Sequence, residues 1–512
     1  MPRTQKQSAV PLTTAQSLSA IIKSCRDLMR KDKGLNGDLD RLPMLTWIMF
    51  LKFFDDLEIA HEQEATLSGE AHRPILEAPY RWRDWAAIET GLTGDALKMF
   101  IDNDEATLPD GSRGVGLFTY LRSLSSASGS VIANVFRGIS NRMESGYLLR
   151  EMLNKINAIH FTSSDEIHTL SHLYESLLRE MRDSAGDSGE FYTPRPVVKF
   201  MVAVTNPRLG ETMLDPACGT GGFLVETFEH LNGQVQSVED RQRLQMGSIY
   251  GGEAKSLPYL LAQMNLLLHG LEAPDLKIGN SLNVNITQIG ERDRVDIILT
   301  NPPFGGEEER GILSNFPADK QTAETALLFL QLIMRKLRRQ PTAAKGWARA
   351  GVVVPNGTLF ADGVAARIKE ELLREFNLHT IVRLPNGVFA PYTGIPTNLL
   401  FLDRSGPTQD VWYYELALPK GRKNYTKTQP IQYEEFAELI AWWPERSENE
   451  CAWHVPAAQI LANNCNLDLK NPSTKQDLEH LSPEALLDSI MAKEQRIAAI
   501  MTEIRATLNN KP

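Results

Sequence analysis

The sequence predicts an α/β protein: a parallel sheet with helices between its strands, preceded by an all-helical N-terminal domain and followed by a C-terminal extension with a helical tail. Three observations carry that prediction. From residue 212 to 302, short apolar runs of strand length alternate with helix-length stretches, as in a sheet built from crossover units. Four successive runs end in a polar side chain, Asp215, Glu253, Asn280 and Asn301. Residues 1–170 instead carry apolar positions at helical spacing.

At 512 residues the chain has length for two to four domains. The expected division is 1–170, helical; 171–405, the α/β unit; and 406–512, the extension. Its four cysteines, Cys25, Cys218, Cys451 and Cys465, form no C-x-x-C pair, so neither a disulfide framework nor a metal site is indicated. Runs such as LTWIMF (45–50) are far too short to span a bilayer, and no apolar leader follows Arg3 and Lys6. The expected compartment is the cytoplasm. The net charge of −10 is unlike a protein that grips DNA unaided, because such binding rests largely on phosphate neutralisation. Work on nucleic acid would call for local basic patches or a more basic partner.

In chain order, Leu18, Ile21, Ile22, Cys25, Leu28 and Met29 form the apolar face of a helix over 12–31. A second helix covers about 42–65, and PYRWRDW (79–85) and LPDGSRG (108–114) are breaks. In EFYTPR (190–195), Thr193 reads as an N-cap and Pro194 as the first helical residue. A helix N-terminus there suits a carboxylate, with Phe191 and Tyr192 as aromatic walls. A simple capped helix accounts for the same residues.

DPACGTGGF (215–223) is a strand end and a glycine-rich turn leading into a helix. It is neither G-x-G-x-x-G nor a P-loop. The acid at the strand end favours an amino-bearing ligand over a phosphate. SIYGGE (248–253) is a second strand, and its terminal Glu253 is placed for a ribose diol. LKIGNSL (276–282) is a third strand, ending at Asn280 and Ser281.

VDIIL (295–299) is the fourth, followed by NPPF (301–304). Pro302 and Pro303 fix φ and remove two backbone donors. What remains is acceptors, the Asn301 side-chain carbonyl and the Pro302 carbonyl, beside the flat ring of Phe304. Two acceptors and a stacking face suit the exocyclic amine of a planar heterocycle. A strand followed by a rigid turn fits the tetrapeptide equally well. The series of four polar strand ends decides, because ligands of open α/β sheets bind at the carboxyl ends of strands.

Residues 304–322 form a charged, glycine-containing loop read as mobile. The helix 323–339 ends in Arg335, Lys336, Arg338 and Arg339, which complement its C-terminus or touch DNA, the first being preferred. Further strands are read at 350–360, 379–389 and 397–404, the last two joined by a loop with Phe389 and Tyr392. Beyond 405 the sheet pattern ends, although VWYYEL (411–416) is a strand. PKGRKNYTKTQPI (419–431) is basic and turn-rich. The helix 482–508 carries an apolar stripe suited to partner docking, a coiled coil or packing on its own chain.

These motifs, taken in order, resemble those of the amino-methyltransferases that use S-adenosylmethionine. More narrowly, the chain resembles the methylation subunit of type I restriction–modification systems, through the helical N-terminal region, TPRP, LPNGVF and KGRKNYTKTQPIQ. The resemblance covers nearly the whole chain and implies a Rossmann-like methyltransferase domain at 171–405. It implies that Glu190, Phe191, Tyr192, Thr193, Pro194 and Arg195 line the methionine end of the cofactor, with Thr193 at its carboxylate. Asp215 would face its amino group, Thr220, Gly221 and Gly222 would form the turn against it, and Glu253 would accept from the ribose. Asn280 stands where many relatives have an aspartate at the adenine. Asn301 and Pro302 would hold the target N6 amine, braced by Pro303, with Phe304 stacked on the base.

The implied reaction is methyl transfer to N6 of a flipped-out adenine in double-stranded DNA. The loop after NPPF, under about twenty residues, is no more than an ordinary long loop, which leaves little chain for reading base edges. Sequence recognition is therefore expected in a separate specificity subunit. The resemblance implies two copies of this chain per specificity subunit, with restriction subunits joining for cleavage. Rival readings are methylation of adenine in RNA or of glutamine in protein, a catalytically silent cofactor-binding subunit, and a nucleotide-dependent dehydrogenase, the last disfavoured by the glycine pattern.

Overall fold

The computed structural model describes residues 14–69, 74–125, 127–159, 193–304, 306–341, 345–390, 393–426 and 428–473, and in the tail Leu487, Met491, 493–498 and 500–502. Residues 1–469 form one compact unit and 470–512 a second.

The first unit opens with helices Thr14–Lys31 and Asp38–Ser68. Leu18, Ile22, Cys25, Leu28 and Met29 of the first are buried, as the periodicity predicts. The N-terminal region is not wholly helical. The break LPDGSRG holds the turn and the start of the second strand of a hairpin, β1 (Glu105–Thr107) paired antiparallel with β2 (Arg113–Val115). Leu108 N–H donates to Ser112 O at 2.8 Å across it. The strands are only three residues each, too short to show a period of two. Phe50 and Phe136 of this region share one buried cluster with Leu260 and Leu267 of the helix Ser256–Leu268, so the helical region and the sheet have a common core.

The main sheet has nine strands: β3 (Met213–Asp215), β4 (Ile249–Glu253), β5 (Asp275–Ile278), β6 (Ile297–Thr300), β7 (Arg349–Pro355), β8 (Asn377–Arg383), β9 (Thr397–Asp403), β10 (Asp410–Glu415) and β11 (Ala452–Pro456). Their order is β11-β10-β8-β9-β7-β6-β3-β4-β5. From β5 through β7 all pairs are parallel. β9 runs antiparallel to both β7 and β8. Four residues of β6, Ile297 to Thr300, are all buried, which fits a central parallel strand covered on both faces.

The sheet does not end at 405. β10 pairs in parallel with β8 and carries β11 antiparallel on its far side. Tyr413 and Trp453 of these strands stack with ring centroids 5.2 Å apart. The boundary expected at 405 thus falls inside the sheet. β11 follows β10 at a distance of more than thirty residues, so the pairing leaves no local hairpin signal.

The chain passes from β3 out to β4 and β5, then returns to the other side of β3 as β6. The strand order therefore reverses between β3 and β6. In an open α/β sheet the crevice outside the carboxyl ends at such a point is where ligands bind. No helix among the described residues is long and apolar enough to cross a membrane.

Candidate active site

Asp215, the last residue of β3, is 1% exposed. Its Oδ1 accepts the Thr300 hydroxyl at 2.6 Å and the Ala217 N–H at 3.1 Å. Burial, with a smaller push from the charge of Glu253, raises its pKa to about 7, against the pull of those two donors. Glu253 ends β4 and is also buried, which raises its pKa as well. Its carboxylate accepts Gly219 N–H at 3.0 Å and Lys255 N–H at 2.8 Å, locking the glycine-rich turn to the β4 end.

That turn is closed from two sides. Gly221 precedes the helix Gly222–Asn232 with φ +81°, a conformation that favours glycine. A Cβ there would also come within 3.3 Å of Ala262. Asn265 donates to Thr220 O at 3.1 Å and Arg195 Nη1 to Gly222 O at 2.9 Å. The turn therefore presents its backbone to the crevice with little freedom to move.

Past the end of β6, Asn301 donates through Nδ2 to Thr193 Oγ1 at 3.0 Å. Its Oδ1 is buried and has no hydrogen-bond partner among the described residues. A buried acceptor left unmade costs about 1–3 kcal/mol, so the arrangement points to a donor that arrives from outside the chain. Pro302 is buried, and Pro303 lines the crevice. The ring of Phe304 is half-buried and meets Phe389 edge-on, centroids 6.1 Å apart at 64°.

The site lies inside a stretch of chain that is similar to known proteins. The model of the N-6 DNA methylase family matches residues 165–480. The chain belongs to that family. It is 46% identical over 506 residues to the EcoEI type I restriction enzyme methylase subunit of Escherichia coli, covering 96% of this chain and 98% of the relative. It is 32% identical over 310 residues to the EcoKI methylase subunit of E. coli K12, covering 56% of this chain and 55% of that one. The crystal structure of a type I modification subunit from Vibrio vulnificus YJ016 superposes with a TM-score of 0.84 at 65% identity, over 92% of this chain and all of that one. A chain from a study of assembly and conformational transition of the type I restriction–modification system gives 0.78 at 38% identity, over 98% and 100%. This methylase is thus an adenine-specific DNA methyltransferase of the type I class, with the Rossmann-like domain its motifs imply.

In the methylase crevice the structure brings together Thr193, Arg195, Asp215, Thr220, Gly222, Glu253, Asn280, Asn301 and Pro303. Gly221 supports the turn from behind, and Phe304 packs beside the crevice on Phe389. Glu190, Phe191 and Tyr192 lie outside the described residues, as does Tyr392. Thr193 is not the N-cap expected of it. The helix begins at Arg195 with Pro194 in the cap position, and the Thr193 hydroxyl is turned to Asn301 instead. Phe389 is 4% exposed, so it packs in the core and also buttresses Phe304.

Among the lining residues, Lys255, Glu308 and Phe329 escape the sequence reading. Glu308 is the most consequential, since it comes from the loop after NPPF and bonds Asn280. Its only signal was a run of three glutamates, which solvation alone accounts for. Thr300, which holds Asp215, sits directly before NPPF but looks like any strand residue.

Proposed function

We propose that the crevice across β6, β3, β4 and β5 holds S-adenosylmethionine and that Asn301 receives the N6 amine of an adenine flipped out of duplex DNA. The observation that carries this reading is the unpaired Asn301 Oδ1 beside Thr193. The donor set suits the cofactor. Asp215 has no cationic side chain bonded to it among the described residues, and an ammonium group would supply that charge. Glu253 uses each oxygen for one backbone N–H and keeps lone pairs for a diol.

When bound, S-adenosylmethionine supplies an electrophilic methyl group. The chain's own residues align and polarise. Thr193 engages the Asn301 nitrogen and leaves its oxygen to accept from the amine. The Pro302 carbonyl is the second acceptor. Together they stabilise the positive charge that grows on N6 during attack, an electrostatic contribution, while the fixed turn holds the cofactor side in place. Flipping the base costs a few kcal/mol, and stacking on Phe304 offsets roughly 1–3 kcal/mol of it. Asn301 Oδ1 is shielded from solvent, so base entry must displace the residues around it.

DNA contact is supported by the basic turn 419–426. Lys420 and Lys423 are exposed and form no ion pair among the described residues, in a chain of net charge −10. The turn is fastened to the loop that carries Phe389. Tyr425 is fully buried, donates its N–H to Asn386 O at 3.0 Å, and bonds Glu435 through its hydroxyl. Gly387, with φ +80°, allows this approach, since a Cβ there would fall 2.2 Å from Tyr425 O. The positive charge is thereby held at a set position relative to Phe304.

Two lysines do not make a sequence reader. We assign recognition to a separate specificity subunit, with two copies of this chain on each, and cleavage to restriction subunits. The described part of the tail helix fits such assembly: Leu487, Met491, Ile497, Ile500 and Met501 are all exposed.

Asn301→Ala tests the assignment at the reacting end. Methyl transfer should fall by about a hundredfold to a thousandfold, with cofactor affinity within about twofold of wild type. Loss of both together would contradict the separation of roles.

A further inference from the structure

Asn280 has one amide orientation. Its Oδ1 accepts Leu282 N–H at 2.9 Å, capping the short turn Ser281–Asn283. Nδ2 is thereby aimed at Glu308, donating to Oε2 at 3.0 Å, and both residues line the cofactor crevice. Glu308 is itself held in place. Its N–H donates to Ala323 O at 3.0 Å, and Thr325 Oγ1 donates to Gly306 O at 2.8 Å, stitching this part of the loop to the start of the helix Thr325–Lys336.

The strand order ranks the crevice. Across β6, β3, β4 and β5 lie Asn301, Asp215, Glu253 and Asn280 in turn. With transfer at Asn301 and a diol at Glu253, the group over β5 is the base of the cofactor. An adenine edge presents a donor, its amine, beside an acceptor, a ring nitrogen. Asn280 turns its oxygen toward Leu282 N–H and its Nδ2 toward Glu308, so what it presents beside Glu308 is a donor. That donor suits the ring nitrogen and opposes the amine. Glu308 supplies the missing acceptor next to it, and buried Phe329 gives the crevice an apolar wall.

We propose that Asn280 and Glu308 act as one recognition pair for the adenine of the cofactor. Glu308 accepts from the exocyclic amine, and Asn280 Nδ2 donates to the neighbouring ring nitrogen. The carboxylate that reads the amine thus comes from the loop after NPPF, bonded to the end of β5. This inference rests on the crevice being the S-adenosylmethionine site.

The test titrates the full chain calorimetrically with S-adenosylhomocysteine and with S-inosylhomocysteine, in which a carbonyl replaces the amine and the adjacent ring nitrogen carries hydrogen. Wild type should prefer the adenosyl ligand by at least about tenfold. Glu308→Ala should weaken the adenosyl ligand by about tenfold to a hundredfold, the worth of a hydrogen bond to a charged group. It should leave the inosyl ligand nearly unchanged, so the preference collapses. Glu308→Gln, whose amide retains an acceptor, should recover part of it. Equal weakening of both ligands by Glu308→Ala, or of neither, would overturn the pair. Failure of wild type to bind either ligand would instead remove the cofactor reading on which the pair rests.

Discussion

The two edges of the sheet treat the same chemistry in opposite ways. At the edge where β3, β6 and β7 begin, Asp296 is 1% exposed and saturated: Thr212 N–H donates at 2.9 Å, Arg338 at 2.5 Å and Lys345 at 3.0 Å. Beside it Glu211 forms a bidentate pair with Arg349, both contacts at 2.8 Å. At the opposite edge Asp215 is equally buried, yet among the described residues it has a hydroxyl and one N–H for partners and no cation, and Asn301 Oδ1 has none. Buried carboxylates are normally paired with a cation, so the edge where one is not, beside a buried acceptor without a donor, is the one that receives a ligand. The basic residues at and just past the end of the helix Thr325–Lys336 belong to the charge-paired edge: Arg335 pairs with Glu371, Arg338 with Asp296 and Arg339 with Glu291. Their partners are thus acids of neighbouring elements, where the sequence suggested a complement to the helix C-terminus.

Breaking the charge-paired edge should have the largest effect on folding. Asp296→Ala removes the group on which Arg338, Lys345 and Thr212 converge and should lower unfolding free energy by about 3 kcal/mol. Denaturant titration measures this, and the folded fraction should keep its cofactor affinity. Asp215→Asn should do the reverse, leaving stability unchanged or raised while weakening S-adenosylmethionine binding.

The next effect is in pH. The folded-state pKa of Asp215 is raised above its unfolded value, so in the free protein this group destabilises the fold as pH rises from the carboxylate range through about 7. A cationic ligand favours the ionised form, so cofactor affinity should increase from pH 6 to pH 8. In Asp215→Asn that increase should vanish. A wild-type affinity flat across that range would remove Asp215 from the ammonium site.

The smallest effect lies outside the crevice. Lys420→Ala combined with Lys423→Ala should reduce the slope of log DNA affinity against log salt by about 2, with cofactor binding unaffected. An unchanged slope would place the DNA backbone elsewhere.

The comparison also explains what was legible in the sequence. Asp215, Glu253, Asn280 and Asn301 stand out because each follows a short apolar run, most plainly at Asn301, whose strand is buried on both faces. Residues that act across the chain leave no such mark. Glu308 meets Asn280 over 28 positions, and Thr193 meets Asn301 over 108. Sequence placed Thr193 at the helix start by local cap chemistry, but the hydroxyl has a stronger tertiary use. The loop 304–322, read as mobile, contributes buried Phe316, which packs with Leu282 and Phe329. Its charges hid that one anchor. β10 and β11 were missed as sheet members for a related reason: their pairing is with distant β8 and with each other across a long insertion.

The most direct measurement is methyl transfer from labelled S-adenosylmethionine to genomic DNA lacking N6-methyladenine, with the chain alone and with its co-expressed specificity subunit. N6-methyladenine should form at defined sites only when the partner is present. Site-specific product from the chain alone would contradict the division between catalysis and recognition. Transfer to RNA or protein but not DNA, or no transfer while cofactor binds, would contradict the assignment of Asn301 to an adenine in DNA.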